Sequence, residues 1–352
     1  MCAANLKIFR ALLYFLFIGV SNAEIILRSG NPDDIQIKKT EQVICLAGGQ
    51  SDDGWVEGWR ELLESTRGGD LVVLRATIHS FFYNEWVYDD IHDNSLPKVN
   101  SVSTIILTDK DDAQKDEIKK LLENAEMIFI AGGDQSRYVD WFKNTPIETA
   151  LNDALHKRKI SVAGTSAGMA ILGHYDFEAH SNSPHPDQSY TSEDVLADPL
   201  ADFVDVRNTI VEAPFLENVI TDTHFSNLKR EGRLAAFMAN ALVTYKLPEI
   251  KAIASDESTA FCYDEKGLGR VYGPGNVYFL KATKRPELLK EHTPLIWIAE
   301  KKAIQACIVN GDANKNSFDL QKWQGDCDSS EYWWVDKIEG QEKTKLYRQT
   351  LR

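Results

Sequence analysis

Short apolar runs alternate along most of the chain with stretches whose apolar residues have helical spacing. The runs that predict strands cover residues 43–47, 71–76, 104–107, 127–131 and 160–163. The stretches that predict helices cover 55–65, with Ser51 or Asp52 as the cap, 112–124, and about 136–157. Strands that recur at intervals of roughly 25 to 35 residues with helices between them predict an α/β fold. We expect a doubly wound, mostly parallel sheet with helices on both faces.

Three parts of the chain depart from this rhythm. Residues 78–100 and 174–205 are polar, contain aromatic residues or prolines, and are predicted to be long loops at the rim of a site. From about residue 285 tryptophans occur among many Lys and Glu residues without a clear period. We therefore expect a main domain over 24–284 and a C-terminal appendage of unknown role over 285–352.

The first 23 residues have the three parts of a secretory signal peptide. Lys7 and Arg10 precede an apolar stretch, and small residues permit cleavage after Ala23. The apolar stretch has about ten residues, whereas roughly 20 are needed to span a bilayer. We expect the mature protein to be secreted or periplasmic and to have no membrane segment; an uncleaved anchor or a buried first helix is the alternative.

The composition excludes several classes of protein. The 352 residues are 43% hydrophobic, which is enough to build a core and excludes a disordered chain. Asp and Glu number 53 against 39 Lys and Arg, so the net charge is −14. Because no basic block offsets this charge, no nucleic-acid or anionic-membrane partner is expected.

Export changes what the cysteines indicate. Cys45 and Cys262 stand in apolar, strand-like runs, where a buried free thiol is the usual finding. Cys307 and Cys327 flank a polar stretch, and a disulfide and two free thiols are equally open there. Since no pair has CxxC spacing, zinc or redox chemistry is not expected.

The segment Gly164-Thr165-Ser166-Ala167-Gly168 matches the G-x-S-x-G nucleophile elbow, placed between a strand and an apolar helix. A sharp turn there would expose the Ser166 hydroxyl and direct the Ala167 amide towards a developing oxyanion. A structural glycine-serine turn is the alternative.

A serine nucleophile needs a base and a group that orients the base. His224 follows an apolar run over 218–220, and Glu257 follows another over 252–254. Since the site of such a sheet lies at the carboxyl ends of its strands, both residues are candidates to join Ser166. The alternatives are a structural histidine and a solvated turn carboxylate.

Two further groups are candidates for substrate contact. The sequence GGDQ ends the run at 127–131, so the Gly133 amide could be a second oxyanion donor and Gln135 could contact substrate. Lys229, Arg230 and Arg233 follow His224 and form either a carboxylate site or a solvated helix face.

These four motifs, in this order, resemble the cyanophycinase-like serine peptidases, which share the class I glutamine amidotransferase-like fold with the α-aspartyl dipeptidases. The similarity runs from about residue 43 to 280 and implies a homodimeric enzyme that acts on peptides without cofactor or metal. Cyanophycinases cut the β-aspartyl-arginine polymer cyanophycin to dipeptides. The roles that the resemblance implies are catalytic for Ser166, His224 and Glu257, oxyanion-binding for Gly133 and Ala167, and substrate-binding for Gln135, Asp222, Thr223, Arg230 and Arg233.

The chain departs from the cyanophycinase pattern where specificity is expected to lie. Thr223 stands where the family usually has Gln, and Leu228 stands where it usually has Arg. An amide and a guanidinium provide charge-assisted hydrogen bonds of roughly 1.5–3 kcal/mol each. Cyanophycin and a related aspartyl or isoaspartyl peptide are therefore both open as substrates.

Two other functions remain open on the sequence alone. An α/β-hydrolase esterase would take its partners in the order serine, acid, histidine, and the only histidine after Glu257 is His292. A binding protein with a vestigial site on the same scaffold is the second.

Several metal-capable side chains follow the elbow, namely His174, Asp176, His180, His185 and Asp187. Their spacing matches no standard ligand set. A substrate-facing loop without metal is expected.

Overall fold

The computed structural model describes residues 26–35, 37, 40–76, 80–89, 95–180 and 190–351. The predicted signal peptide lies outside the described residues. None of the helices in the described part of the chain is long and apolar enough to cross a membrane.

The strands are β1 Ile26–Gly30, β2 Val43–Ala47, β3 Asp70–Ala76, β4 Ser101–Leu107, β5 Met127–Ile130, β6 Ser161–Thr165, β7 Tyr175–Phe177, β8 Val206–Asn208, β9 Val219–Asp222, β10 Lys251–Ser255, β11 Ala260–Asp264, β12 Leu268–Tyr272, β13 Asn276–Ala282, β14 Ile304–Asn310, β15 Ser317–Asp319, β16 Gln324–Gly325, β17 Ser329–Lys337 and β18 Thr344–Thr350. The α-helices are α1 Val56–Ser65, α2 Asp116–Asn124, α3 Gln135–Phe142, α4 Pro146–Asp153, α5 Ala167–Ala170, α6 Ser192–Ala197 and α7 Glu231–Thr244.

The first sheet has a parallel centre. Its order is β1-β4-β3-β5-β6-β2-β11-β12-β15-β16, and the five strands from β4 to β2 are parallel to one another. These central strands are buried on both faces, which explains why they read as continuous apolar runs. The α/β prediction is therefore confirmed.

A second sheet lies beside the first, where the sequence pattern predicted only one. Its order is β18-β17-β14-β13-β10-β9-β7-β8, with β7, β9 and β10 parallel and the other pairs antiparallel. The two sheets meet at their strand ends: the Ser255 hydroxyl donates to the Leu46 carbonyl at 3.1 Å, and the Thr221 hydroxyl donates to the Ala170 carbonyl at 2.8 Å. The site is built at this junction.

Residues 285–352, expected to form an appendage, pair directly with the preceding part of the chain. β14 lies between β13 and β17 in the second sheet, and β15 pairs with β12 in the first. Trp297 and Trp333 are fully buried in the second core. Trp333 stacks on Phe225, which follows His224, so the C-terminal segment packs behind the site.

The helix predicted over 136–157 is broken in two. α3 ends at Phe142, and α4 begins after Thr145, whose hydroxyl accepts from the Ile147 amide. Pro146 occupies the first position of α4, where its missing amide hydrogen costs nothing. The Thr145-Pro146 pair is typical of a helix start, but the apolar spacing continues across it and predicted a single helix.

The predicted cap of the first helix is also wrong. Neither Ser51 nor Asp52 caps α1, which is preceded by a 3-10 turn over Asp52–Trp55. Asp52 is instead buried, and its carboxylate accepts from the Trp55 indole at 3.1 Å and from the Tyr83 hydroxyl at 2.6 Å.

Four cysteines form two disulfides. Cys307 is bonded to Cys327, one of the two outcomes left open by the sequence. The expectation that Cys45 and Cys262 are free thiols is wrong: they are bonded to each other. The reason is register, because β2 and β11 are antiparallel neighbours in which these two residues lie directly opposite, with Cα atoms 4.1 Å apart.

Candidate active site

Ser166 lies on a sharp turn between β6 and α5. Its backbone angles are φ 52° and ψ −119°, a left-handed conformation that a side chain rarely adopts. Its amide donates to the Ala47 carbonyl at 3.0 Å, which holds the turn against the end of β2. A Cβ at Gly164 would lie 2.3 Å from the Gly168 carbonyl oxygen, and one at Gly168 would lie 2.0 Å from the Ile130 carbonyl oxygen. Both glycines of the predicted elbow are therefore required by close backbone packing.

His224 reaches Ser166 from the second sheet. It stands two residues after β9, and its amide donates to the Gly48 carbonyl at the end of β2 at 2.9 Å. Its Nε2 lies 2.8 Å from the Ser166 Oγ. Gly49, with φ 105°, lies against the ring so closely that a Cβ there would be 2.4 Å from the imidazole Cε1.

Glu257 holds the far side of the imidazole. Its Oε1 lies 2.9 Å from the His224 Nδ1. Asp222 at the end of β9 lies opposite Ala254 on parallel β10, so the segments that follow these two strands lie side by side. The Glu257 amide donates to the Asn227 side chain at 2.9 Å, which fixes the turn that carries the carboxylate. The structure thus brings together the three residues that the sequence singled out as nucleophile, base and acid.

Asp256 supports this turn and was not singled out by the sequence reasoning. Its carboxylate accepts from the Ser226 amide at 2.8 Å and from the Asn276 amide at 3.0 Å. These bonds tie the loop after His224 to the turn that carries Glu257. The signal available in the sequence was its place next to Glu257 at the end of a strand.

The imidazole is tuned to be neutral. Burial lowers the pKa of His224 below its ordinary 6.5, and the nearby Arg230 guanidinium lowers it further, while the hydrogen bond and charge of Glu257 oppose both. A histidine that is neutral at pH 7 and bonded to a hydroxyl can accept the proton of that hydroxyl.

Two backbone segments border the Ser166 hydroxyl. Ala167 is the first residue of α5, where an amide has no acceptor inside its own helix. A Cβ added at Gly132 would lie 3.4 Å from the Ser166 Cβ, so the GGDQ turn passes directly beside the Ser166 side chain. Both segments are positioned to offer amides to a negative oxygen on a bound substrate.

Arg230 and Arg233 lie near His224, and both side chains bond to other residues of the protein. Arg233 donates to both oxygens of the Asp222 carboxylate, and both side chains are about 95% buried, at 5% and 4% exposure. Arg230 donates to the Thr223 carbonyl at 2.8 Å and to its hydroxyl at 3.3 Å. Arg230 and Arg233 are therefore not a solvated helix face.

Arg230 carries a donor that the described residues do not use. Its Nε is buried and has no hydrogen-bond partner within the described part of the chain. Burial, together with the adjacent Arg233, lowers its pKa to about 10, so the side chain stays charged at pH 7.

The remaining candidates lie around this centre. The Gln135 amide nitrogen donates to the Phe177 carbonyl at the end of β7. Leu228, at 49% exposure, faces solvent. His292, the base of the esterase alternative, is 88% exposed and bonds to Asp198 at 2.9 Å.

Comparisons with known proteins agree with the sequence motifs. A profile described as Peptidase family S51 matches residues 92–262, the segment that contains Ser166, His224 and Glu257. A cyanophycinase from Nostoc sp. is 26% identical over 191 residues, which are 54% of this chain and 57% of that protein. A cyanophycinase from Synechococcus elongatus is 28% identical over 179 residues, which are 51% of this chain and 49% of that protein. The chain thus spans about half the length of these relatives.

Among solved structures, a peptidase from an acI-B1 Actinobacterium aligns with a TM-score of 0.47 at 17% identity, covering 68% of this chain and 90% of that one. The profile and the cyanophycinase relatives carry the resemblance. Over about half of its length the chain is similar to peptidase family S51 and to the cyanophycinases.

Proposed function

We propose that this protein is a secreted serine-type peptidase that hydrolyses aspartyl or β-aspartyl amide bonds. The observation that carries the proposal is the unbroken chain of contacts from the Ser166 Oγ to the His224 Nε2 at 2.8 Å and from the His224 Nδ1 to the Glu257 Oε1 at 2.9 Å. The first contact prepares the hydroxyl for attack, and the second fixes the tautomer of the base.

In the proposed reaction His224 takes the Ser166 proton as the Oγ attacks the substrate carbonyl. The amides of Ala167 and Gly133 bind the resulting oxyanion. His224 then gives its proton to the departing amine as the C–N bond breaks, leaving an acyl ester on Ser166. Water, deprotonated by His224, attacks the ester; His224 returns this proton to the Ser166 Oγ as the C–Oγ bond breaks, which releases the acid and restores the hydroxyl. Glu257 stabilises the charged imidazole in both halves of the reaction.

The family resemblance and the charge of the pocket support the proposed substrate class. An aspartyl substrate carries a carboxylate beside the scissile amide, and Arg230 offers a charged, buried guanidinium with an Nε that bonds to none of the described residues. A charge-assisted bond of this kind contributes roughly 1.5–3 kcal/mol. Thr223 and Leu228 replace residues typical of cyanophycinases, so small aspartyl and isoaspartyl peptides belong in the test set.

Secretion is proposed from the signal-peptide pattern and is supported by the two disulfides, which form and persist in oxidising compartments. A homodimer is proposed from the family resemblance. Light scattering on the purified mature protein tests the second point.

The direct test is hydrolysis of insoluble cyanophycin and of a panel of aspartyl and isoaspartyl dipeptides, with products identified by mass. Ser166→Ala is expected to abolish both hydrolysis and labelling by a fluorophosphonate probe, while Ser329→Ala on β17 serves as the matched control. A folded wild-type protein that neither hydrolyses the panel nor reacts with the probe would favour a binding protein with a vestigial site. Hydrolysis unchanged in Ser166→Ala would remove the proposed mechanism.

A second pair of variants separates this mechanism from the esterase alternative. His224→Ala should reduce turnover by several orders of magnitude, whereas His292→Ala should leave it unchanged. The reverse result would assign the base to His292.

A further inference from the structure

A group of acidic side chains surrounds His180. We call this group the His180 cluster; it consists of Asp140, Asp176, Glu178, His180 and Asp205. It lies where β7, β8 and α3 meet. None of its members has a role in the proposed reaction.

Three members converge on one point. The His180 Nδ1 lies 2.8 Å from an Asp205 oxygen and 3.3 Å from a Glu178 oxygen. One ligand atom from each of these residues lies within 4.8 Å of the others. On the opposite side of the ring, the His180 Nε2 lies 3.2 Å from an Asp140 oxygen.

Strand geometry explains the convergence. β7 pairs with β8 in an antiparallel register that places Asp176 opposite Arg207. The pairing continues one step past β7, since the Glu178 amide donates to the Asp205 carbonyl at 2.9 Å. Because alternate residues of a strand share a face, Asp176 and Glu178 project to the same side, where their neighbours across the hairpin are Arg207 and Asp205.

Asp176 is the observation that points to a ligand. Its side chain is fully buried, and neither carboxylate oxygen has a hydrogen-bond partner among the described residues. It stands two residues before Glu178 along the hairpin and therefore projects to the same side. A buried carboxylate without a partner is costly unless a cation or a proton neutralises it.

The protein's own cations compensate this charge only in part. The Arg207 Nε lies 2.6 Å from an Asp205 oxygen and 3.4 Å from a Glu178 oxygen, yet the arginine side chain is 61% exposed. Arg207 and a protonated His180 together would supply two positive charges to four carboxylates. The cluster is therefore rich in ligand atoms and short of positive charge.

We propose that the His180 cluster binds one divalent transition-metal ion, of the class of Zn²⁺ or Mn²⁺, through His180, Glu178 and Asp205, with Asp176 as a third carboxylate beside the ion. An imidazole together with carboxylates is the ligand set that these ions prefer, whereas Ca²⁺ and Mg²⁺ favour oxygen ligands alone. Asp140 would orient the imidazole from its other nitrogen.

The sequence spacing indicated no metal here because it grouped different residues. His174 is committed elsewhere, since its Nδ1 accepts from the Asn218 amide at 2.8 Å, and His185 and Asp187 lie outside the described residues. Glu178 and Asp205, which the spacing did not include, complete the cluster in space.

An ion at this position would brace the wall of the active site. Asp140 lies on α3, and α3 begins at Gln135. The Gln135 side-chain amide donates to the carbonyl of Phe177, the residue between Asp176 and Glu178. The ion would hold α3 against the β7–β8 hairpin and so fix the turn that passes beside Ser166. Its role would be structural, without contact to the reacting atoms.

The test is calorimetric titration of the chelator-treated mature protein with ZnCl₂ and, separately, MnCl₂. We expect one equivalent to bind. His180→Ala and Asp205→Asn should each weaken binding by about tenfold or more. The matched control is His292→Ala, which removes the exposed histidine of the His292–Asp198 pair and should bind as wild type does. Glu178→Gln serves as a further variant if either replacement prevents folding.

A second readout is the melting temperature, which should rise with ZnCl₂ in the wild type and in His292→Ala but not in the cluster variants. The proposal is overturned if the wild type binds neither ion, if folded cluster variants bind as tightly as the wild type, or if CaCl₂ binds more tightly than ZnCl₂.

Discussion

At the scale of single residues, the site is held by backbone conformations that side chains normally avoid. Ser166 has φ 52°, His224 φ 47° and Ser258 φ 56°, and Gly49 has φ 105°. Such conformations cost roughly 1–3 kcal/mol each for a non-glycine residue and persist only where surrounding contacts enforce them. A backbone hydrogen bond holds each of the three non-glycine residues: the Ser166, His224 and Ser258 amides donate to the carbonyls of Ala47, Gly48 and Gly49 respectively.

The pH profile reports the state of His224. Because burial lowers its pKa, kcat/KM should rise along an acid limb below pH 6.5 and be level at neutral pH. Glu257 opposes that lowering, so Glu257→Gln should move the limb to still lower pH. The same change should reduce kcat by roughly 10²–10⁴-fold, since the base loses the group that orients it.

Glu265→Gln, a change at an exposed turn, is the control for this profile and should match the wild type. An acid limb that moves to higher pH in Glu257→Gln would contradict the assignment of Glu257 as the partner of His224.

Asp52 should make the stability depend on pH. Burial raises its pKa to about 6 from an ordinary 3.8, although Tyr83 and Trp55 donate to it. A raised carboxyl pKa means that the folded state holds its proton longer, so this contribution is full below pH 4 and is lost as the pH rises through 6. The loss amounts to about 3 kcal/mol in the free energy of unfolding.

Urea unfolding at pH 4.5 and pH 7.5 measures about 2 kcal/mol of this loss, because the rest has already occurred by pH 4.5. In Asp52→Asn, the free energy of unfolding should differ less between the two pH values, because the contribution of Asp52 is absent at both. This holds whatever the variant's absolute stability. Asp53→Asn, the exposed neighbour, should leave the difference as in the wild type. An unchanged pH dependence in Asp52→Asn would show that Asp52 titrates normally.

At the scale of elements, the sequence predicted the features that depend on a short, continuous stretch of residues. The buried parallel strands were read to within a few residues because their runs are continuous. The elbow was found because three small residues must flank a serine at one tight turn. The missed features depend on distant partners: the Cys45–Cys262 bond needs the β2–β11 register, and the second sheet needs strand pairings that no local pattern encodes.

The glycines of the site differ in what a side chain would disturb, and alanine variants should separate stability from activity. Gly168→Ala would place a methyl group 2.0 Å from the Ile130 carbonyl oxygen, a backbone atom that cannot yield. Overpacking of this kind costs roughly 1–3 kcal/mol or more, so the melting temperature should fall sharply.

Gly132→Ala is the matched variant. Its methyl group would lie at ordinary contact distance, 3.4 Å from the Ser166 Cβ. It should keep nearly the wild-type melting temperature and yet lower kcat/KM, because it narrows the space beside the hydroxyl. Wild-type kcat/KM in Gly132→Ala would show that substrate does not pass there.

At the scale of the whole molecule, the catalytic candidates depend on two sheets, and C-terminal strands belong to both of them: β15 and β16 to the first, and β14, β17 and β18 to the second. Ser166 and the Gly48 carbonyl belong to the first sheet, whereas His224 and Glu257 extend from the second. Trp333 of β17 packs on Phe225 beside His224, so a residue far beyond the family match supports the segment that carries His224. The sequence could not anticipate this support because residues 285–352 show no periodicity.

The two disulfides should differ in accessibility and in what they contribute. The Cys45 and Cys262 side chains are buried, while Cys307 and Cys327 are partly exposed. Mild reductant under native conditions should therefore reduce the Cys307–Cys327 bond first. The Cys45–Cys262 bond should be reduced only after the protein unfolds. In the chain-entropy description, closing 20 residues contributes about 3 kcal/mol and closing 217 about 5 kcal/mol, so the Cys45→Ala/Cys262→Ala pair should lose more stability than the Cys307→Ala/Cys327→Ala pair.

Thiol titration of the exported protein tests the bonds and the signal-peptide cleavage together. The sequence has five cysteines, and the fifth, Cys2, lies in the predicted signal peptide. If cleavage follows Ala23 and both disulfides form, the protein unfolded without reductant should show no reactive thiol and, after reduction, four. One thiol before reduction and five after would mean that Cys2 is retained. Two or more before reduction would mean that at least one disulfide is open, and the two sets of alanine variants identify which.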